Sequence, residues 1–246
     1  MSYSTIIYTK KEHIGSIILN RPEVGNSINL KLAQELEDVC PKIDQDDDIY
    51  VVVITGAGDK AFCTGVGKSD SSSSPASAIA GIKKPVIAAI NGDALGQGLE
   101  LALGCDIRLS SDKAKFGFPE VAHGLIPSDG GTQRLPRIVG RGKALELVLT
   151  AEVITAEEAL RIGLVSKIVK GTNLAAETDA LAQAMAAKAP IALRFIKEAI
   201  NKGLDLTLEQ GLRLEADLYF LIHTTADRTE GIAAFLKKRP PKFKGK

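Results

Sequence analysis

Lys84-Pro-Val-Ile-Ala-Ala-Ile-Asn-Gly92-Asp-Ala-Leu-Gly96-Gln97-Gly98-Leu-Glu100-Leu-Ala-Leu-Gly-Cys-Asp106 decides the fold class. Val86 to Ile90 is a short unbroken apolar run introduced by a proline, the pattern of a strand buried on both faces. The glycines at 92, 96 and 98 then turn the chain into an apolar helical run, so strand passes to helix through a glycine turn. Outward from this stretch the rhythm repeats. Tyr3 to Thr9 and Ile14 to Leu19 read as strands, and Leu30 to Ile43 reads as a helix with Asn29 as its N-cap. Tyr50 to Thr55, Cys105 to Ser110 and Leu164 to Val169 read as further strands. This alternation predicts an α/β fold. From Ala175 onward the period is helical and rich in Ala and Leu, with breaks at Pro190, Gly203 and Gly211, which predicts a helical appendage.

The chain has 246 residues, about what one core and an appendage require. With 45% hydrophobic and 25% charged residues it is ordinary globular material, which excludes global disorder. A net charge of +1 supplies no general basic field for nucleic acid or an anionic membrane, and the lack of Trp argues against base-stacking platforms. Cys40, Cys63 and Cys105 are odd in number and far apart, without a metal-ligand spacing. They argue against a disulfide framework and a structural metal, and for a reducing compartment. No basic-then-apolar leader opens the sequence, and no apolar run approaches the ~18 residues of a membrane span. The expectation is a cytoplasmic protein with no membrane partner.

Several features could carry chemistry. A strand-to-helix glycine turn presents free backbone N–H groups at the positive end of a helix, where an oxyanion is stabilised. Gly92 to Gly98 forms one such turn, and Thr55 to Gly67 forms another. Neither carries the usual phosphate-loop spacing. Glu100 lies in the first turn of the predicted helix; alone, it reads as an exposed carboxylate that complements the helix dipole. Glu120 follows Phe116-Gly-Phe-Pro119 after a short extended segment. Two donors and two carboxylates suit addition of water across a double bond conjugated to a carbonyl, because one carboxylate takes a proton from water while the other delivers one to carbon. The alternative is that all are structural turns. Ser69 to Ser77 reads as a surface loop, and the last ten residues, with six Lys or Arg, as a solvated tail or a phosphate contact.

Taken in order and spacing, these segments resemble the enoyl-CoA hydratase/isomerase family, the crotonase superfamily, nearly from end to end. The motifs that carry the likeness are Leu19-Asn-Arg-Pro22, Val53-Ile-Thr-Gly56, Lys60-Ala-Phe62, Lys84 to Gly92, Gly98-Leu-Glu-Leu-Ala102, Cys105-Asp106, Phe116-Gly117, Pro119-Glu120, Gly130-Gly-Thr-Gln-Arg-Leu-Pro136, Ala159 to Val165 and Asp227 to Phe235. The resemblance implies a spiral of ββα turns over residues 1–189 and a helical trimerisation region over 190–246, with trimers pairing into hexamers. It implies an oxyanion hole from the backbone N–H groups of Val66 and Gln97, with Glu100 and Glu120 as the acid/base pair around one water. Isomerase members usually keep only the second glutamate, so both together favour a hydratase. The resemblance further implies an acyl-CoA thioester substrate whose phosphates meet Arg21, Gly67, Lys68, Lys237 or Lys238, and no cofactor beyond that CoA.

The sequence departs from the family pattern in places. Val66-Gly67-Lys68 stands where an Ala-Asp pair is usual, and the segment that follows is short. Gln97 replaces a glycine; a positive φ there would be strained, and a helical φ would not. His123 is a turn residue or tunes Glu120. A dienoyl-CoA isomerase would carry a further carboxylate at the position of Ser128. Asp129, one residue later, either approaches the acyl pocket with its neighbours or caps the helix starting near Gly130. The rivals to a hydratase are an enoyl- or dienoyl-CoA isomerase and a non-catalytic acyl-CoA- or RNA-binding member. The acidic run Asp44 to Asp48 weighs against the RNA reading. His13 and His223 have no motif around them.

Overall fold

The structure, a computed structural model, describes residues 3–65 and 74–246. In chain order the elements are β1 (Ile6–Lys11), β2 (Ile14–Leu19), α1 (Leu30–Gln45), β3 (Val51–Gly56), β4 (Ala61–Cys63), α2 (Pro75–Ala80), β5 (Val86–Ile90), β6 (Asp93–Leu95), α3 (Gln97–Leu103), β7 (Ile107–Ser111) and β8 (Lys115–Gly117). There follow α4 (Gly131–Val139), α5 (Arg141–Thr150), β9 (Val153–Thr155), α6 (Ala156–Arg161), β10 (Lys167–Val169), α7 (Leu174–Ala186), α8 (Pro190–Gly203), α9 (Leu208–Ile222) and α10 (Ala226–Leu236).

The strands form one sheet in the order β1-β2-β3-β5-β7-β10 and a second in the order β4-β6-β8-β9. From β3 to β8 the chain alternates between the sheets: β3 passes to β4, β5 to β6 and β7 to β8, and α2 and α3 return it to the first sheet. After β8 the chain adds β9 beside it in the second sheet before α6 leads back to β10 in the first. This is a ββα spiral, and the pairing between its successive turns is parallel.

The central strands are buried on both faces with a period of two. Val52, Ile54, Val86, Ala88 and Ile90 point into the main core. Val51, Ile87, Ala89 and Leu109 point the other way, beneath Leu174 and Ala182 of α7. The expected runs at 14–19 and 86–90 are strands over those same residues. β1 starts later than Tyr3 because the buried Glu35 carboxylate of α1 takes the N–H groups of Ser4, Thr5 and Ile6 at 2.9, 2.8 and 3.2 Å. Asn29 caps α1 as expected, its side chain accepting from Leu32 N. The strand expected over 164–169 is confined to Lys167–Val169, since Leu164 and Val165 turn back to bond the Ala159 carbonyl.

Two expectations are corrected. The serine-rich stretch does not read as loop throughout: its residues 69–73 lie outside the described residues, but Pro75 opens α2. The basic C-terminal tail is not simply solvated. Asp227 accepts from Lys244 N and Gly245 N at 2.7 and 2.8 Å, while Glu230 holds the Arg239 guanidinium and Lys242 N. Carboxylates on the first turns of α10 thus satisfy the tail's backbone donors.

Pro190 opens α8, which packs along α9. Lys197 of α8 reaches Asp106 at 2.7 Å and the Lys84 carbonyl at 3.0 Å, pinning this helical region to the end of the spiral. Large apolar side chains remain exposed along α8 to α10, among them Ile200, Leu204, Leu208, Phe220 and Phe235.

Candidate active site

The site forms where two glycine turns touch. Gly96, between β6 and α3, has φ 54° and ψ −129°, a conformation open to glycine and not to a residue with a Cβ. Gly65, after β4, has φ 87°, and a Cβ built on it would lie 3.3 Å from Gln97 N. The donor at the start of α3 is thereby set against the first turn. Gln97 is the first residue of α3 and is not among the positive-φ residues, so the glycine-like strain feared for it is carried by Gly96 instead. As the first residue of a helix its N–H has no intrahelical acceptor and is free to donate. Val66, Gly67 and Lys68 lie outside the described residues.

Glu100, one turn into α3, is fully buried rather than an exposed dipole partner. Its Oε1 accepts from Asp129 N at 2.8 Å and Gly131 N at 2.7 Å. Glu120 sits on the 3-10 turn Pro119–His123 and faces Gly96, where an added Cβ would fall 2.7 Å from its Oε1. The two expected carboxylates are therefore both brought to the N-terminal end of α3, close enough for the Glu100 charge to act on Glu120. Burial pushes both above the usual glutamate range. For Glu120 the Glu100 charge raises it further, while for Glu100 the Gly131 and Asp129 N–H groups pull the other way.

Among the described residues, four buried side-chain polar atoms have no hydrogen-bond partner. Three of them, Gln97 Oε1, Glu100 Oε2 and Glu120 Oε2, belong to this site. An acceptor buried without a donor costs about 1–3 kcal/mol. A cluster of acceptors therefore calls for a donor-rich occupant such as water.

The remaining expected residues are placed as follows. Ser128 is exposed, its Oγ 3.4 Å from Gln97 Nε2. His123 is exposed, with Nδ1 3.1 Å from the Pro119 carbonyl, and its effect on Glu120 is the weakest of those acting there. Asp129 does not cap the helix after it. The N-cap of α4 is Gly130 without a side-chain bond, and the buried Asp129 carboxylate instead accepts from Ala76 N and Ser77 N of α2, because its side chain points back across the fold. Arg21 donates to the Ser27 carbonyl beside the first turn. Lys237 and Lys238 are exposed at the end of α10, and no side-chain bond among the described residues joins them to the two turns. The three cysteines are buried with thiols pushed up to about 12, which leaves them as inert core residues.

A ββα spiral with one buried and one half-buried carboxylate at the meeting of two glycine turns defines a crotonase-fold protein. The family model described as enoyl-CoA hydratase/isomerase matches residues 9–246, and the chain belongs to that family. It is 40% identical over 257 residues to a crotonyl-CoA hydratase of Syntrophomonas wolfei, covering 99% of both chains. It is also 40% identical over 247 residues to an (E)-benzylidenesuccinyl-CoA hydratase of Thauera aromatica, covering 95% of this chain and 96% of the other. The crystal structure of enoyl-CoA hydratase from Bacillus anthracis superposes with a TM-score of 0.96 at 38% identity, covering 99% and 100% of the two chains.

Proposed function

We propose that the chain is an enoyl-CoA hydratase, adding water reversibly across the 2,3 double bond of an enoyl-CoA thioester with no cofactor beyond the substrate's own CoA. The observation that carries this is the pair of unpartnered, buried oxygens Glu100 Oε2 and Glu120 Oε2 beside the free N–H of Gln97. Water has two hydrogens to donate, and these two oxygens are acceptors for them. The N–H groups of Gln97 and Val66 polarise the thioester carbonyl and hold the enolate oxyanion. As the water oxygen bonds C3, one carboxylate takes its proton, and Glu120 delivers a proton to C2; the sum is H–OH across the double bond. Arg21, Gly67, Lys68, Lys237 and Lys238 are proposed to meet the CoA phosphates, and residues 190–246 to assemble trimers through the exposed apolar face of α8 to α10. Among the described residues no helix is long and apolar enough to cross a membrane, and a cytoplasmic place fits that.

The test is mass spectrometry with crotonyl-CoA in heavy-oxygen water. A product heavier by one labelled water supports hydration. An unchanged mass with a moved double bond makes the protein an isomerase, a reading already weakened because the Asp129 carboxylate is engaged by α2.

The pH dependence has a definite sign. The working pair holds one proton, so kcat/KM falls on the acid side when both carboxyls are protonated and on the alkaline side when both are ionised. Because both are raised from 4.5, the acid limb is expected above pH 4.5. An acid limb at or below that value in a pH–rate profile counts against the buried pair.

A further inference from the structure

We propose that Asp129 is a positioning residue that ties the start of α2 to Glu100, so that the register of α2 and the aim of the Glu100 carboxylate are set by one side chain and its own peptide. The consequence for turnover rests on the hydratase reading of Glu100; the physical link does not.

Asp129 is 3% exposed and works in two directions. Its Oδ2 accepts from Ala76 N at 2.6 Å, and its Oδ1 accepts from Ser77 N at 3.3 Å and Ser77 Oγ at 2.8 Å. Its own N–H donates to Glu100 Oε1 at 2.8 Å, and its carbonyl accepts from Arg134 Nη1 at 2.6 Å. Arg134 Nη2 closes the circuit at 3.4 Å from Ser77 Oγ.

The need for the link is visible in α2 itself. Ser74 is its N-cap and makes no side-chain cap bond, so the first N–H groups of this six-residue helix depend on an acceptor from elsewhere. Asp129 supplies it from 53 residues away. Since Glu100 Oε1 is held by Asp129 N and Gly131 N, rotation of the 129–131 peptides turns Oε2 as well.

A carboxylate so placed also acts through its charge. Among the described residues, Glu100 of α3 takes the Asp129 backbone N–H and Arg134 of α4 lies against Asp129, while α2 carries no charged or titratable residue. The Asp129 charge favours the protonated form of Glu100, while burial pushes Asp129 itself up, against the pull of its Ala76 and Ser77 donors and of Arg134.

The experiment compares Asp129→Ala and Asp129→Asn by amide hydrogen exchange, steady-state hydration of crotonyl-CoA and its pH profile. In Asp129→Ala we expect exchange to speed up together at Ala76–Ser77 and at residues 129–131, with kcat down roughly 10-fold to 100-fold and KM within about threefold. Asp129→Asn keeps an acceptor for α2 and loses the charge, so most of the protection returns while the acid limb of kcat/KM moves to lower pH. Faster exchange confined to Ala76 and Ser77, with kcat and the acid limb unchanged in both variants, makes Asp129 a cap for α2 alone and overturns the proposal. Should the unmodified protein fail to hydrate in the heavy-water assay, the hydratase reading falls, and the exchange pattern still decides the link.

Discussion

Glu120→Gln is expected to lower hydration by roughly 100-fold to 10,000-fold with substrate binding little changed, because the amide keeps the shape and cannot carry the proton to C2. The side chain faces Gly96 at the turn that starts α3, with its Oε2 buried and unpartnered, so the substitution removes a proton carrier and leaves the packing intact. Glu100→Gln is expected to be deleterious as well, but by a different route. Its Oε1 still accepts from Asp129 N and Gly131 N, and its Oε2 position becomes a donor or a wrongly oriented acceptor for water. Any isomerase side activity, which needs no held water, should survive Glu100→Gln and not Glu120→Gln. On the proposed reading, in which the two act on one water as a unit, the double variant should lose little more than the worse single one. A loss below tenfold in Glu120→Gln removes it from the chemistry, and equal loss of both activities in Glu100→Gln contradicts the division between them.

Gly98→Ala should disable the enzyme without touching any group that handles protons. A Cβ on Gly98 would fall 1.9 Å from the Cys63 carbonyl oxygen and 2.5 Å from its carbon, and both are backbone atoms of β4. Neither can swing aside, so α3 must move away from β4, and overpacking of this kind costs about 1–3 kcal/mol or more. The same movement carries Gln97 N and Glu100 with it, and a misplacement of ~1 Å costs on the order of 100-fold in rate. Gly142→Ala is the control of opposite sign. A Cβ there meets nothing within 4 Å, and in α5 the change should stabilise by roughly 0.5–1 kcal/mol and leave turnover alone. Denaturant unfolding and the crotonyl-CoA assay on the two variants read both effects; equal behaviour of Gly98→Ala and Gly142→Ala would falsify the close-approach argument.

The spiral was legible where the chain repeats a local rule. Val86 to Ile90 has no polar residue because both its faces are covered, and the run shows that in one dimension. The second sheet was not legible, because β4, β6, β8 and β9 are three residues each and too short to display a period. At the site, the glycines and the two glutamates could be named from the sequence. The burial of Glu100 could not, since a carboxylate in the first turn of a helix is equally at home in solvent. Asp129 shows the limit most plainly: next to Gly130 it reads as a cap for α4, and only the folded chain shows α2, with its uncapped N-terminus, lying under that carboxylate.

The sequence by itself determined the α/β alternation, the two glycine turns and the helical end of the chain. Each of these is written in neighbours a few residues apart, where period, turn chemistry and capping act. Tertiary structure alone decided which N–H groups hold Glu100, which helix Asp129 serves, and which oxygens remain without a donor. Those outcomes join residues 29 to 53 positions apart, and the winding of the spiral, not any local preference, brings them within hydrogen-bond reach.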